Sequence, residues 1–154
     1  MATKPPPPPA EEKLLLDSFL CFAIYSAGHA FNQFYRPLLD AIGLTYPQYL
    51  VMVALWTQND QTVKALGDKL LLDSSTLTPL LKRLESAGHL TRMRDPADER
   101  QVRVRLTATG RALKNQAKSI PVCVQGTLGL SSSDLKRVQA DVLGIRDRLL
   151  SAKA

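Results

Sequence analysis

The sequence predicts a mainly α-helical fold that carries one small β-hairpin. Apolar residues recur at helical spacing through most of the 154 residues, whereas a stretch after Gly88 alternates apolar and basic residues with a period of two. Capping and turn residues divide the helical part into short segments in the middle of the chain and longer ones towards its two ends. A chain of this length is expected to form a single compact domain without help from disulfides or metals.

The composition excludes several classes of protein. The chain has 20 Lys and Arg against 14 Asp and Glu, a formal net charge of +6, with 45% hydrophobic and 22% charged residues. These values are ordinary for a soluble globular protein and rule out a disulfide-rich secreted scaffold, a wholly disordered chain and a collagen-like repeat. The two Cys and two His form no close pair, so no zinc site, other metal site or cofactor is expected.

The first residues, 1–12, are predicted to be a disordered, proline-rich arm, because Pro5 to Pro9 can form neither a helix nor a central strand. The apolar stretch after this arm is preceded by acidic residues and interrupted by Asp17, which does not fit a secretory signal. No run reaches the roughly 18 apolar residues that span a bilayer. We therefore expect a cytoplasmic protein with reduced thiols and no membrane partner.

A long helix is predicted from Lys13 to Arg36. Its apolar residues cover more than one stripe of the helix surface, which implies burial on several sides. Pro37 is expected to end the helix, because proline disfavours helical geometry in the residue before it.

Shorter helices are predicted in the middle of the chain. Thr45 and Gln48 have the spacing of a capping box, which starts a helix from Tyr46 to about Thr57. Asn59 to Gln61 is a predicted turn, and the following Thr62 can cap a short helix through Leu70.

The next helix is predicted over residues 73–87, with Asp73 or Ser74 as its cap and Gly88 as its stop. Leucines at i, i+3, i+4 and i+7 form one buried stripe, and the opposite face carries short polar side chains followed by positive charge. A helix that enters the major groove of DNA presents such a face. The candidate DNA-contacting residues on this helix are Ser74, Ser75, Thr76, Thr78, Pro79, Lys82 and Arg83.

A β-hairpin is predicted after this helix. Residues 102–106 alternate apolar and basic side chains, residues 90–94 form a shorter mate, and residues 95–100 connect them. The hairpin is expected to have a basic outer face, because residues 82–114 hold nine basic and four acidic side chains, a net charge of +5. An isolated charge cluster of this kind is more often a solvated face than a binding site.

The C-terminal part is predicted to contain two more helices. Thr107 caps one that runs through Lys118, the chain bends near Pro121, and the other helix extends from Asp134 to Leu150. Cys123 is expected just past the bend.

The predicted order over residues 44–107, three helices and then a hairpin, is that of a winged helix-turn-helix. The helices in residues 13–43 and 108–154 supply an apolar surface with nothing else in the chain to cover it. A symmetric homodimer is the simplest way to bury that surface. We expect both flanking regions to be dimerisation helices within one compact domain.

The hairpin segment resembles the MarR family of bacterial winged-helix regulators. Residues 95–110, DPADERQVRVRLTATG, look like that family's wing signature, an Asp-x-Arg tip followed by a strand and Leu-Thr-x-x-Gly. The resemblance covers nearly the whole chain apart from the proline-rich arm. It implies that helix 73–87 is the recognition helix, that Arg100 enters the minor groove of operator DNA, and that Asp98 holds Arg100 in place. Arg94 joins these two as a candidate DNA contact.

Within that family, the first helix is similar to that of the organic hydroperoxide sensors of the OhrR type. In those proteins, a thiol on the N-terminal helix is surrounded by tyrosines from the same helix and from the turn into the next. Cys21, Tyr25, Tyr35 and Tyr46 match these positions. The resemblance implies a sensing thiol with thiolate-stabilising tyrosines, and it makes Cys123 the resolving thiol of the two-cysteine subgroup.

A thiol reacts with a peroxide as its thiolate, so a sensing thiol needs a pKa below the ordinary value of about 8.5. No Lys or Arg lies within four residues of Cys21, which leaves phenolic O–H groups as the stabilising donors. Oxidation by an organic hydroperoxide gives a sulfenic acid, which condenses with a second thiol to a disulfide. The expected function is a homodimeric repressor that leaves double-stranded operator DNA when Cys21 is oxidised and captured by Cys123 of the other subunit.

Other functions remain open at this point. A regulator of the same fold could respond to a non-covalent aromatic or phenolic ligand, with both cysteines inert, since a lone Cys on an apolar helix is most often packing. A thiol peroxidase also uses a tuned Cys with a resolving partner. However, no catalytic Arg or Glu can be placed beside Cys21, and a basic hairpin has no purpose in such an enzyme. We therefore expect no enzymatic activity.

Overall fold

The computed structural model describes residues 15–152, and the chain separates into two compact units with the boundary between Lys114 and Asn115. The helices in the described residues are α1 (Leu20–Asp40), α2 (Tyr46–Thr57), α3 (Val63–Leu70), α4 (Ser74–Ser86), α5 (Ala108–Ala117), α6 (Ile120–Leu128) and α7 (Ser132–Ser151). The strands β1 (Gln61–Thr62), β2 (Leu90–Arg94) and β3 (Val102–Leu106) form an antiparallel sheet in the order β1-β3-β2. The predicted class, mainly helical with a small hairpin, is confirmed.

Helix α1 differs from its prediction at both ends. It begins at Leu20, after a short 3-10 turn over Leu16–Ser18, and the predicted start at Lys13 and the proline-rich arm lie outside the described residues. The expected stop at Arg36 is wrong, because Pro37 lies inside the helix, which continues to Asp40. Proline disfavours a helical residue before it but does not forbid one. The turn beyond Pro37 carries the buried side chain of Leu39, which offsets the strain.

Helix α2 forms the centre of the first unit. Its predicted capping box is confirmed, since Thr45 N–H donates to Gln48 Oε1 at 2.9 Å and Gln48 N–H donates to Thr45 Oγ1 at 3.4 Å. Val51, Met52 and Leu55 of α2 are fully buried. In all, α2 buries five residues against three in α4, which makes α2 the main contributor of apolar surface to this core.

The turn after α2 contains a strand that the sequence pattern did not predict. Strand β1 has only two residues, with Gln61 paired to Val104 and Thr62 to Arg103 of β3. A two-residue strand is too short to show alternation, so only its partner reveals it. The buried Gln61 side chain donates to the Ala54 carbonyl at 3.1 Å, which fixes the turn to the end of α2.

Helix α4 confirms its prediction closely. Asp73 Oδ1 accepts from the Thr76 N–H at 2.8 Å and caps the helix. Of the four leucines in the predicted stripe, three are buried and one is half-buried: Leu77, Leu81 and Leu84 are buried, and Leu80 is half-buried. The helix therefore turns its polar face to solvent.

The predicted hairpin is confirmed over β2 and β3, with Leu90 opposite Leu106 and Arg94 opposite Val102. Glu85, in the last turn of α4, binds Arg92 of β2 through three hydrogen bonds. The Arg92 N–H and Nε donate to the carboxylate at 2.9 Å each, and Nη2 donates at 2.7 Å. The end of α4 is thereby tied to the hairpin that follows it.

Gly110, in the first turn of α5, packs closely against other parts of the first unit. Thr107 caps α5 as predicted, since its Oγ1 accepts from the Gly110 N–H at 3.0 Å. The Gly110 carbonyl accepts from Trp56 Nε1 of α2 at 2.8 Å. A Cβ at position 110 would lie 1.9 Å from the His89 carbonyl oxygen, so only glycine fits here.

The second unit consists of the last residues of α5 together with the whole of α6 and α7. The predicted bend near Pro121 is confirmed, since a turn at residues 118–119 separates α5 from α6. Pro121 itself lies in the first turn of α6, where a missing N–H is harmless, so Cys123 is helical, and the sequence pattern did not predict this helix. Helix α7 is confirmed and starts at Ser132, because Ser131 Oγ accepts from the Asp134 N–H at 3.1 Å. Within residues 15–152, no helix combines the length and the apolar character that crossing a bilayer demands.

We predict that Gly110→Ala destabilises the protein. The added methyl group would overlap the residue 89 backbone, and overpacking of this kind typically lowers the free energy of unfolding by about 1–3 kcal/mol. Urea denaturation followed by the fluorescence of the single tryptophan, Trp56, measures the change. Gly144→Ala is the control, since a Cβ there meets nothing within 4 Å and alanine favours helix by up to about 1 kcal/mol. Equal stability of Gly110→Ala and wild type would refute the close approach.

We also predict a loss of stability at low pH to which Glu85 contributes. Hydrogen bonds from the Arg92 side chain and backbone lower the pKa of Glu85 below its ordinary value of 4.5. The resulting stabilisation is present above pH 4.5 and is lost as the pH falls through the lower pKa of the folded state. The free energy of unfolding, measured from pH 6 to pH 3, should therefore fall less steeply in Glu85→Gln than in wild type. Glu99→Gln, whose carboxylate has no partner among residues 15–152, should keep the wild-type slope.

Candidate nucleic-acid interface and redox site

The solvent-facing side of α4 gathers most of the candidate DNA contacts. Six of the seven are exposed, and Thr78 is half-buried. The six exposed residues are Ser74, Ser75, Thr76, Pro79, Lys82 and Arg83. They alternate around the helix with the buried leucine stripe, so the first two turns offer short polar groups and the third offers two positive charges. An edge of this shape and charge fits the major groove.

The loop between β2 and β3 ends in a highly exposed arginine. The Arg100 side chain is 91% accessible, and its Nε lies 3.0 Å from Asp98 Oδ1. Asp98 also accepts from the Arg100 N–H at 3.2 Å and from Gln101 Nε2 at 3.1 Å. These hydrogen bonds, led by that of the Arg100 side chain, lower the pKa of Asp98 and keep it ionised at neutral pH. The loop thus orients one cation away from the protein, with the acidic neighbour in the place that the resemblance implies.

The expected basic outer face of the hairpin is largely wrong. Arg92 is paired with Glu85, Arg103 with Asp60 and Asp95, and Arg105 with Asp60. Arg94 is the strand arginine whose side chain has no carboxylate partner among the described residues, and it donates only to the Glu99 carbonyl at 3.4 Å. The net charge of residues 82–114 does not include Asp60, which lies 43 positions before Arg103 in the turn after α2. Most of the hairpin charge is neutralised within the fold.

Both cysteines are exposed and unbonded. Cys21 lies in the first turn of α1, in the first unit, and Cys123 lies on α6, in the second. Tyr25, one turn after Cys21, is 63% exposed and packs edge-on against His29 with ring centroids 4.6 Å apart. Among residues 15–152, no tyrosine hydroxyl makes a hydrogen bond with Cys21.

The other tyrosines form a cluster between α1 and α2. The ring of Tyr35 lies 4.9 Å from that of Tyr46 and 5.9 Å from that of Tyr49. Tyr49 is 6% exposed and also contacts Trp56, and its position three residues after Tyr46 on α2 is the sequence signal that it belongs to this cluster. Burial first, and the neighbouring phenols second, raise the pKa of Tyr35 above its ordinary value of 10.0. Tyr35 therefore keeps its phenolic proton at neutral pH and can donate a hydrogen bond.

The structure separates two groups that the resemblance to the OhrR-type sensors places in one site. Tyr35 follows Cys21 by fourteen positions on the same helix, and a rise of 1.5 Å per residue puts their Cα atoms about 21 Å apart. Tyr46 contacts Tyr35 and lies at the same end of α1. A single chain therefore does not bring Cys21 to these two phenols. No group of three or more His, Cys, Asp or Glu in the described part of the chain could hold a metal ion.

Comparison with known proteins places this architecture in a family. The family model for the transcriptional regulators SarA/Rot matches residues 33–117, which run from the second half of α1 to the end of α5. The chain is 49% identical over 134 residues to the HTH-type transcriptional regulator TtmR of Methylorubrum extorquens, covering 87% of this chain and 69% of that one. It is 42% identical over 134 residues to the organic hydroperoxide resistance transcriptional regulator of Bacillus subtilis, covering 87% and 91%.

A solved structure supports the same placement. Reduced AbfR bound to DNA is 36% identical to this chain, with a TM-score of 0.75 and coverage of 90% of this chain and 96% of the other. The predicted winged-helix architecture is thereby confirmed. The chain belongs to the SarA/Rot family of transcriptional regulators and has the winged-helix fold of the MarR type.

Proposed function

We propose that this regulator is a homodimeric repressor that binds double-stranded operator DNA and leaves it when an organic hydroperoxide oxidises Cys21. The observation that carries this proposal is an exposed, unbonded thiol at the start of α1. It occurs in a chain that is 42% identical to an organic hydroperoxide resistance regulator. The relatives reported above are named as transcriptional regulators, which favours a regulatory thiol over a thiol peroxidase.

DNA binding is assigned to α4 and to the loop between the hairpin strands. The exposed polar face of α4 would enter the major groove, with Lys82 and Arg83 near the phosphates. Arg100, oriented by Asp98, would enter the adjacent minor groove, with Arg94 near the backbone. In a symmetric dimer, two recognition helices would occupy successive major grooves about 34 Å apart.

A second copy of the chain is proposed to cover the apolar faces at the two ends. In the first unit, Leu20 and Ile24 of α1 are exposed, and in the second unit Val138, Val142 and Leu149 of α7 are exposed. Apolar side chains grouped in this way on a soluble protein mark an interaction surface. A twofold axis lets the same surface serve both subunits, which agrees with dimerisation by residues 13–43 and 108–154.

A homodimer also resolves the separation between the thiol and the phenols. If the α1 helices of the two subunits run antiparallel and cross midway between these residues, Cys21 of one subunit would lie beside Tyr35 and Tyr46 of the other. The hydroxyl groups of Tyr35 and Tyr46 would then donate hydrogen bonds that stabilise the thiolate, with Tyr25 one turn away on the same helix as Cys21. The sensing site would be complete only in the dimer.

The oxidation is a two-step transfer. The Cys21 thiolate attacks the terminal oxygen of the hydroperoxide, the O–O bond breaks, and Cys21 becomes a sulfenic acid. The organic part leaves as an alkoxide, which takes a proton from water and becomes the alcohol. The Cys123 thiolate of the other subunit then attacks that sulfur, forms the disulfide and releases hydroxide, which becomes water. Because this bond would join α1 of one subunit to α6 of the other, it would shift the two α4 helices and weaken operator binding.

A second candidate is a regulator of the same fold that binds a small aromatic or phenolic acid. A cavity of about 360 Å³ lies where α1 meets α2, lined by Asn32, Arg36 and Tyr46 among others. Its size is within the range of small-molecule sites, and its arginine suits a carboxylate. In this candidate both cysteines are inert.

We predict that Arg100→Ala weakens operator binding and reduces its salt dependence. Loss of one positive side chain that contacts a phosphate or enters a groove should lower the magnitude of the slope of log K against log salt concentration by about 0.9. Fluorescence anisotropy between 50 and 300 mM salt measures affinity and slope together. Arg137→Ala removes the same charge from an exposed position on α7 and is the matched control. Identical changes in both variants would show that the loop makes no specific contact.

We further predict that cumene hydroperoxide releases the wild-type protein from DNA but does not release Cys21→Ser. Cys123→Ser should still be oxidised at Cys21, but it should stop at the sulfenic acid. Gel shift of the operator complex reports release, and non-reducing mass spectrometry reports which cysteines are joined. Release of Cys21→Ser by peroxide would eliminate the redox mechanism. Release of wild type by a phenolic acid alone would favour the second candidate.

A further inference from the structure

We propose that Asp60 is a positioning residue for DNA binding. Together with Asp95, Arg103 and Arg105 it forms an ionic cluster, here named the wing clamp, that holds the hairpin in the orientation needed for operator contact. This inference rests on the proposed DNA-binding role of the hairpin loop. None of the four residues is among the candidate DNA contacts.

Arg103 is the centre of the wing clamp. Its Nε donates to Asp60 Oδ1 at 2.7 Å, its Nη2 donates to the Asp60 carbonyl oxygen at 2.7 Å, and its Nη1 donates to Asp95 Oδ2 at 3.1 Å. All three guanidinium nitrogens are therefore bonded, and they join two segments 35 residues apart in sequence. Charge-assisted bonds from a planar donor fix direction as well as distance.

Asp60 is fully engaged by the hairpin. While Oδ1 binds Arg103, Oδ2 lies 3.0 Å from Arg105 Nη2. The hydrogen bonds from Arg105 and then Arg103 lower the pKa of Asp60, so the carboxylate is charged throughout the physiological pH range. Its backbone is left-handed, with φ at 59°, a conformation that aspartate and asparagine tolerate better than most residues. The residue type is thus suited both to the turn and to the two arginines.

The wing clamp connects the turn after α2 to the loop that carries Arg100. At the α2 side, Asn59 Oδ1 accepts from the Leu106 N–H at 2.9 Å, which attaches the same turn to β3 a second time. At the loop side, Asp95 Oδ1 accepts from the Ala97 N–H at 2.9 Å, and the Asp95 N–H donates to the Gln101 carbonyl at 2.8 Å. Asp95 therefore both holds the two ends of the loop together and accepts a hydrogen bond from Arg103.

Two carboxylates beside a DNA-binding loop reduce its attraction for phosphates, because each repels the duplex and occupies an arginine. Their presence is explained if orientation matters more than local charge. The Asp95 side chain is 13% exposed and that of Arg103 is 29% exposed, so salt screens this pair less than it screens a pair of fully exposed side chains. This arrangement separates the positioning role from a simple electrostatic role, since the two predict opposite effects of removing Asp60.

The test uses Asp60→Asn in the full chain. Asparagine keeps the left-handed turn and one hydrogen-bond acceptor but removes the negative charge. We expect affinity for an operator, selected by the wild-type protein from random duplexes, to fall about tenfold. Affinity for a scrambled duplex should stay equal or rise, and the salt slope should steepen because arginines are freed for phosphates. Fluorescence anisotropy on both duplexes gives all three quantities.

Asp68→Asn is the matched control, because Asp68 is an exposed residue of α3 with no ion pair in the described residues, and its removal changes the net charge equally. It should raise binding to both duplexes alike. Arg103→Gln breaks the same cluster while lowering the positive charge, and it serves as the second variant if Asp60→Asn fails to fold. The double variant Asp60→Asn with Arg103→Gln should lose no more operator affinity than the worse single variant, since both remove one interaction.

The outcomes separate the two proposals. If Asp60→Asn strengthens binding to operator and scrambled DNA alike, as Asp68→Asn should, the wing clamp has no positioning role and the inference is overturned. If wild type itself does not prefer any duplex over a scrambled one, the proposed repressor function fails and the inference fails with it. A selective loss of operator affinity in both Asp60→Asn and Arg103→Gln establishes the positioning role.

Discussion

The burial of α2 is the constraint on which the rest of the DNA-binding unit depends. Val51, Met52 and Leu55 are inaccessible to solvent, and the hairpin and α4 each bury their own apolar residues in the same core. The capping box at Thr45 fixes where α2 starts, and the turn at Gln61 fixes where it ends. The tyrosine cluster lies at its beginning and the wing clamp follows its end, so one short rigid element carries the parts proposed for sensing and for DNA binding.

Much of the fold could be predicted from the sequence because its signals are local. Capping residues at Thr45, Thr62 and Asp73 and the leucine spacing of α4 define three helices within a few positions. The end of α1 could not be predicted in this way. The tendency of Pro37 to stop a helix was outweighed by the burial of Leu39, which depends on elements distant in sequence. Strand β1 was missed for the same reason, since only its partner β3 defines it.

The candidate sites follow the same division. The polar face of α4 could be predicted because the helix period fixes it, and the resemblance to the MarR-family wing implied the contact between Asp98 and Arg100. The pairing of Arg103 and Arg105 with Asp60 could not, since net charge along a sequence does not report which charges meet in space. The implied contact between Cys21 and Tyr35 cannot form within one chain, because the α1 helix holds the two residues about 21 Å apart.

Pro37 gives α1 an uneven stiffness along its length. Because proline has no N–H, the carbonyl of Gln33 lacks its donor four residues later, and the helix has one missing rung at that level. Beyond it, Leu39 anchors the last turn in the core, whereas most of the helix before it is exposed in the chain. Helix α1 therefore has an anchored C-terminal turn and a long exposed N-terminal part, and one backbone hydrogen bond is missing where the two meet. Cys21 lies sixteen residues before Pro37, which corresponds to about 24 Å of helix. A small bend of α1 at Pro37 would therefore displace Cys21 more than the residues between them.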